Sequence, residues 1–259
     1  MKRFALLIIL STAVLAAVSA SAKEWDKVRI GVEGAYPPFS YVTPQGELAG
    51  FDIDIAKALG AAMGAEVTLV AQDWDGIIPA LLAKKYDAII ASMSVTEERK
   101  QKVAFSNKYY QTPAKFIIKK GVMAEFSPEA MKGKRVGVQR ATIHDRYLTD
   151  NYGNDVEIKR YGTQDEAYLD LTAGRVDMLL ADSVALSDGF LKKPEGADYQ
   201  FIGPDLTDER WFGNGAGIAI RKEDTDLVEL FNKAIEQIRS DGTYQAIQDK
   251  YFDFNVYGN

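Results

Sequence analysis

The chain has 259 residues, no cysteine, and 31 Lys and Arg against 37 Asp and Glu. Disulfides and thiol catalysis are excluded, and a net acidic chain without basic runs is a poor partner for nucleic acid or anionic lipid. Past the N-terminus no stretch is apolar enough to cross a bilayer.

Met1 to Ala22 combines a basic start (Lys2, Arg3), an apolar run from Phe4 to about Val18, and the closing Ala20-Ser21-Ala22. That pattern predicts a secretory signal peptide cleaved before Lys23, and no Cys follows it for lipid attachment. The expected mature product is soluble and exported, with the periplasm of a Gram-negative cell as its place. Residues 23–259 hold 29 basic and 37 acidic side chains, a net charge of −8. They suffice for one large domain or two lobes of about 100 residues each.

Val28 to Val32 reads as a first strand, followed by Glu33, Tyr36, Pro37 and Pro38. Two prolines end regular structure there, so Glu33 and Tyr36 sit on a loop at the carboxyl end of a strand, where open α/β sheets bind ligands. Each is read either as a site residue or as a turn residue and packing anchor. Gly50-Phe51-Asp52 opens a helix to about Met63, with Ile53, Ala56, Leu59 and Met63 at helical spacing. Val67 to Val70 predicts a second strand, and Asp75 is expected to cap a helix carrying Ile77, Ile78, Leu81 and Leu82. Trp74 then lies at another strand-to-helix corner, as core or as part of a cleft.

Asp87 to Arg99 reads D-A-I-I-A-S-M-S-V-T-E-E-R. Ile89, Ile90 and Ala91 form a short buried strand that ends in Ser92, Met93 and Ser94, and Thr96 is expected to cap a helix beginning T-E-E-R. Hydroxyls, helix-start amides, a helix dipole and an arginine fork suit a carboxylate. A capped helix with a solvated arginine is the other reading of this stretch.

After Tyr109-Tyr110, Ala114 to Ile118 predicts a new strand, and Ser127-Pro128-Glu129 a helix start with proline at its first position. Gly133 to Thr142 then echoes Lys27 to Tyr36, and Leu171 to Val184 echoes Leu82 to Val95. The spacing differs between the echoes, so this is no tandem array but two lobes of similar wiring. The echo sets Asp182 just past a strand, at the second lobe's equivalent of the Ser92 corner. Phe201 to Pro204 ends the second lobe. Gly213-Asn214-Gly215-Ala216-Gly217 precedes its strand (Ile218 to Ile220) and so is not a dinucleotide fingerprint. Asp224 to Arg239 predicts a helix, and Asp241-Gly242-Thr243-Tyr244 starts a last short helix ending near Tyr251-Phe252.

Four corners thus carry complementary groups: Ser92, Ser94 and Arg99 for a carboxylate, Asp182 for an ammonium, Tyr36 and Trp74 as aromatic faces, and Glu33 as a second anion. An amino acid with a cationic side chain satisfies all of them, because a desolvated charge must be paired and aromatic rings can sandwich a guanidinium.

Gly50 to Asp54, the run Ser92 to Arg99, Phe105-Ser106 with Tyr109-Tyr110, and the D-G-T-Y…K-Y-F ending make the chain resemble periplasmic amino-acid-binding proteins of ABC importers, solute-binding family 3. The similarity covers the whole mature chain and is greatest to the lysine/arginine/ornithine- and histidine-binding branch and its opine-binding relatives. The resemblance implies an α/β, two-lobed periplasmic binding protein fold (type II). Residues 23–110 and 209–259 would form lobe 1 and residues 111–208 lobe 2, with two hinge strands near 110–114 and 207–213. It implies no cofactor and no metal, a monomer, and an inner-membrane ABC permease as partner.

By the same resemblance Arg99 grips the α-carboxylate with backbone amides near Ser94 and at Thr142 and Ile143. Asp182 and the serines take the α-ammonium, Glu33 meets the distal cation, and Tyr36 and Trp74 flank the side chain. Ala91 stands where such proteins often have a hydroxyl, Ile143 where a threonine is common, and Gly60 and Val67 where some relatives carry a Cys pair. Gln139, Arg140 and His144 are unusual on the second-lobe corner. The expected function is capture of a basic L-amino acid, with arginine favoured over lysine, ornithine and histidine. Its rivals are an arginine-opine binder, a sensor for a membrane receptor, and a cyclohexadienyl-dehydratase-like enzyme for which His144 is the one evident acid or base.

Overall fold

The computed structural model describes residues 24–258, so the expected signal peptide, Met1 to Ala22, lies outside the described residues. From the N-terminus run β1 (Lys27–Val32), three short strands β2 (Ala35–Tyr36), β3 (Ser40–Val42) and β4 (Leu48–Ala49), α1 (Phe51–Met63), β5 (Glu66–Ala71), α2 (Ile77–Leu82), β6 (Ala88–Ile89), α3 (Glu97–Lys100) and β7 (Ala104–Tyr110). Then come β8 (Ala114–Lys119), α4 (Pro128–Met131), β9 (Arg135–Gln139), α5 (Ile143–Tyr152), β10 (Glu157–Tyr161), α6 (Gln164–Thr172), β11 (Met178–Asp182), α7 (Ser183–Leu186) and β12 (Tyr199–Leu206). The chain closes with α8 (Glu209–Phe212), β13 (Ala216–Ile220), α9 (Thr225–Ser240) and α10 (Thr243–Tyr251).

Ten of these strands build two five-stranded sheets, β5-β1-β6-β13-β7 and β10-β9-β11-β8-β12, and β2-β3-β4 form a small antiparallel third. In each five-stranded sheet, three strands joined by crossover helices run parallel and a strand from elsewhere in the chain joins antiparallel: β13 beside β6, and β8 beside β11. Both faces of each of these two sheets are covered, which is why β6, β11 and β13 read as buried apolar runs rather than alternating ones. In the first lobe α1 and α9 pack Ile53, Leu59, Phe231 and Ile235 on one face, while Ile77, Leu81, Tyr86 and Met93 fill the other. In the second lobe Phe116, Val136 and Leu148 lie opposite Tyr168, Leu171 and Phe190. The fold is the expected two-lobed α/β architecture.

The sequence echo has a physical cause. Gly31 in β1 and Gly137 in β9 both lie under a large side chain: a Cβ would come within 2.6 Å of the Tyr86 ring at the first and 2.5 Å of Leu179 at the second. The residue two before each glycine is an arginine, which clamps the aspartate heading the third parallel strand. The Arg29 amide donates to Asp87 Oδ2 at 3.1 Å and its Nη2 to Oδ1 at 2.9 Å. The same atoms of Arg135 reach Asp177 at 2.8 and 2.6 Å. Gly60 and Val67 do adjoin, since a Cβ at Gly60 would meet Val67 Cγ2 at 2.2 Å.

Three local expectations change. Asp75 does not cap α2, whose N-cap is Gly76; a short 3-10 turn over Trp74–Gly76 intervenes and turns the Asp75 carboxylate outward. The strand expected over Ile89 to Ala91 instead spans Ala88–Ile89, because the chain turns at Ser92, whose φ is 52°. Thr96 caps α3 as expected, accepting from the Arg99 amide at 3.3 Å, but α3 has four residues and too few aligned peptides for a useful dipole.

Helix α6 starts with a capping box: Thr163 Oγ1 accepts from the Glu166 amide, and Glu166 Oε2 accepts from the Thr163 amide, both at 3.2 Å. Thr163→Ala is expected to lower unfolding stability by about 1 kcal/mol. Urea unfolding with no change in midpoint would contradict this.

Candidate functional site

The carboxyl ends of the parallel strands in both sheets point at one cleft. A small cavity of about 30 Å³ between the lobes is lined by Glu33, Tyr36, Trp74, Ala91, Ser92, Ser94, Arg99, Gln139, Thr142, Ile143 and His144. A neighbouring cavity of about 240 Å³ shares Tyr36, Ser92, Ser94, Ile143 and His144 and adds Asp182, Tyr110, Thr112 and the Gly213–Ala216 turn. Among the sequence candidates Met93 alone lines neither. Its side chain is fully buried in the first-lobe core, its carbonyl accepts from the Gly217 amide, and it reaches only a wider open groove outside Trp74 and Arg99.

Arg99 supplies the positive pole. Its Nη1 donates to the Ser94 carbonyl at 3.0 Å and its guanidinium carbon lies 5.2 Å from the centre of the Trp74 ring. Burial pushes its pKa down to about 10, so it stays charged at neutral pH and in want of an anion. Across the cleft, α5 begins at Ile143 with Thr142 as its cap, accepting from the Asp145 amide at 3.2 Å and donating to the Gln139 carbonyl at 2.7 Å. The amides of Ile143 and His144 belong to the first turn, which a helix cannot satisfy internally. With ten residues, α5 rather than α3 carries the dipole that favours an anion beside Arg99.

Two carboxylates supply the negative poles. Asp182 caps α7: its Oδ1 accepts from the Val184 and Ala185 amides at 2.8 and 3.1 Å, and its Oδ2 from the Thr112 hydroxyl. Burial pushes its pKa up to about 6 against those three donors. Glu33 Oε1 accepts from Gln139 Nε2 at 2.5 Å across the cleft, and burial lifts it to about 7 despite that bond. A third buried carboxylate, Asp52, accepts from the Ser92 and Tyr109 hydroxyls. His144 is pushed down to about 3 by burial and by the charge of Arg99, so its imidazole is neutral. One cation and two carboxylates at separate corners can bind a molecule that carries one anion and two cations.

Trp74 is more than a face: its Nε1 donates to the Ala141 carbonyl of the other lobe at 3.2 Å. Two ion pairs also cross the cleft, Arg140 Nε to Asp75 Oδ2 at 2.6 Å and Arg146 to Glu98. Arg140 and Asp75 are each about half exposed, which limits such a pair to about 1 kcal/mol or less. Arg140→Ala should therefore weaken ligand binding by no more than that, and a loss above about 2 kcal/mol on calorimetry would mean the pair does more than brace the closed lobes.

The family model for bacterial extracellular solute-binding proteins, family 3, matches residues 28–254. The chain belongs to that family. An L-arginine-binding protein of Pseudomonas aeruginosa is 51% identical over 261 residues, covering all of both chains. A histidine-binding periplasmic protein of Salmonella typhimurium is 44% identical over 259 residues, again covering all of both. A solved structure of an ancestral arginine-binding protein bound to arginine matches with a TM-score of 0.81 and 37% identity, over 88% of this chain and 98% of that one. In this family-3 solute-binding protein, sequence reasoning missed Asp52, Tyr109, Tyr110 and Thr112, which line or brace the two cavities. The one signal for Asp52 was its place in the Gly50 to Asp54 motif.

Proposed function

We propose that this chain is the extracytoplasmic carrier of a basic L-amino acid, arginine first, and hands it to an ABC importer in the inner membrane. The observation that carries this reading is the charge layout of the cleft, Arg99 set apart from Asp182 and Glu33. The 51% identity to an L-arginine-binding protein along the whole chain supports it. In this reading Arg99 and the amides of Thr142 and Ile143 hold the α-carboxylate, while Asp182, Ser92 and Ser94 take the α-ammonium. Glu33 meets the guanidinium, Tyr36 and Trp74 flank the stem, and Ala91, Gln139 and His144 complete the wall. Residues near 110–114 and 207–213 act as the hinges between lobe 1 (23–110 and 209–259) and lobe 2 (111–208).

A carrier fits the site better than an enzyme does. His144 is the single histidine of the chain, and with its pKa pushed down to about 3 it is a neutral imidazole at neutral pH, a weak base with no imidazolium proton to donate. Export is read from Met1 to Ala22, and no helix among the described residues is long and apolar enough to cross a membrane. In this reading the protein works in the periplasm as a monomer with the permease as its partner. A thermal-shift screen over amino acids and arginine opines tests the reading, because a ligand that binds only the folded state raises the melting temperature. Arginine should give the largest rise, and a larger one with a neutral amino acid or an opine would overturn the assignment.

A further inference from the structure

Asp52 is a buried carboxylate for which the reading above has no use. It sits in the first turn of α1, is fully buried, and makes no ion pair with any cation among the described residues. Its two oxygens are held by two hydroxyls: Ser92 Oγ donates to Oδ2 and the Tyr109 hydroxyl donates to Oδ1, both at 2.9 Å. The Tyr109 oxygen in turn accepts from the Ser92 amide at 3.0 Å. Ser92 is thereby gripped twice, at its amide and at its hydroxyl, and it needs the grip because its φ of 52° lies in the left-handed region that a serine rarely adopts. It is also a wall of both cavities in the cleft.

A serine hydroxyl has one hydrogen and two lone pairs. Once the hydrogen is committed to Asp52, the oxygen can only accept. It can then serve a cation and not an anion, and the negative charge of Asp52 stands one hydroxyl behind it. We propose that Asp52 is a positioning residue for the ligand's α-ammonium group: it fixes the direction of the Ser92 hydroxyl and polarises it, so that Ser92 and Asp182 together complete the ammonium site. This rests on the arginine reading, and it explains why the chain keeps a third carboxylate beside the cleft with no cation of its own.

The test compares L-arginine with 5-guanidinopentanoate, which has the same chain and carboxylate but lacks the α-amino group. Affinities for both are measured by calorimetry, with displacement titration for the weaker ligand, and the readout is their ratio. Asp52→Asn should shrink the preference for arginine by about tenfold or more while leaving the analogue within about threefold of wild type. In a Ser92→Ala background Asp52→Asn should leave the ratio unchanged, since its effect runs through that hydroxyl. Equal losses for both ligands, an unchanged ratio in the single variant, or a further fall in the Ser92→Ala background would each overturn the proposal.

Should Asp52→Asn fail to fold, Tyr109→Phe removes one donor from Asp52 and the anchor of the Ser92 amide. It should lower the ratio by about threefold, and no change there would likewise overturn the proposal. Wild-type protein that binds neither ligand would bring down the arginine reading and this inference with it. Wild-type binding with a ratio insensitive to these variants would bring down the inference alone.

Discussion

Arg99→Ala should cost every α-amino-acid ligand about 2–5 kcal/mol, the largest loss expected from any single side chain in the cleft. The guanidinium is held by the Ser94 carbonyl and stacked on Trp74, so its fork is oriented before a ligand arrives and little entropy is lost on binding. Arg99 is only partly exposed, and burial lowers its pKa to about 10, so an ionic partner offsets part of its lost hydration. With the arginine removed, the α-carboxylate would have only helix-start amides and the α5 dipole, which are worth less than a paired charge. Arg99→Lys should also bind poorly, because an ammonium cannot supply a planar two-donor fork. Calorimetry with Arg99→Ala showing unchanged affinity would remove the clamp from the account.

Glu33→Gln should cost arginine about 2 kcal/mol or more while bringing glutamine closer to it, since the change removes the one charge assigned to the far end of the ligand. It should also alter the pH dependence. Burial lifts Glu33 to about 7, so in the protein alone it is largely protonated at pH values below that. A guanidinium favours the ionised form. Binding below about pH 7 must therefore release a proton, and affinity should fall with falling pH by up to about tenfold per unit from this group. Above that pKa the dependence should vanish. Glu33→Gln should flatten the profile between pH 8 and about 6.5, leaving the decline set by Asp182 and Asp52, whose pKa values are about 6.

The unliganded protein shows the opposite sign. A carboxyl group whose folded pKa is raised contributes stability at low pH that is lost as pH rises through about 7, so Glu33 makes the ligand-free fold less stable at pH 8 than at pH 5. A wild-type affinity profile that is flat from pH 8 to 6 would contradict a Glu33 that is raised to about 7 and pairs with the cation.

Much of this was legible in the sequence because it is written in local pattern. Apolar runs ending in Glu33, Ser92, Gln139 and Asp182 put those side chains at the carboxyl ends of parallel strands, and all four line the cleft. The echo of the first lobe in the second reflects one packing problem solved twice, a glycine under a bulky side chain and an arginine-aspartate clamp around Gly31 and Gly137. What could not be read is pairing at a distance. Asp52 in a first helical turn looks like an ordinary complement to the helix dipole, and nothing local shows that Ser92, forty residues on, needs its oxygen. Asp75 has the local signature of a cap for the same kind of reason, while its partner, Arg140, comes from the other lobe across the cleft. Met93 lies between two cleft serines in sequence, yet strand-like alternation turns it into the core.

Calorimetric titration of the mature protein with arginine, lysine, glutamine and leucine at about pH 7.5 tests the central claim most directly, since at that pH Glu33 and Asp182 are mainly ionised and ready for two cations. Arginine should bind most tightly, lysine next, and the two neutral amino acids far behind, because a planar guanidinium stacks on Trp74 and pairs with Glu33 where a neutral side chain leaves that carboxylate buried and unpaired. Glutamine or leucine binding as tightly as arginine would contradict the assignment.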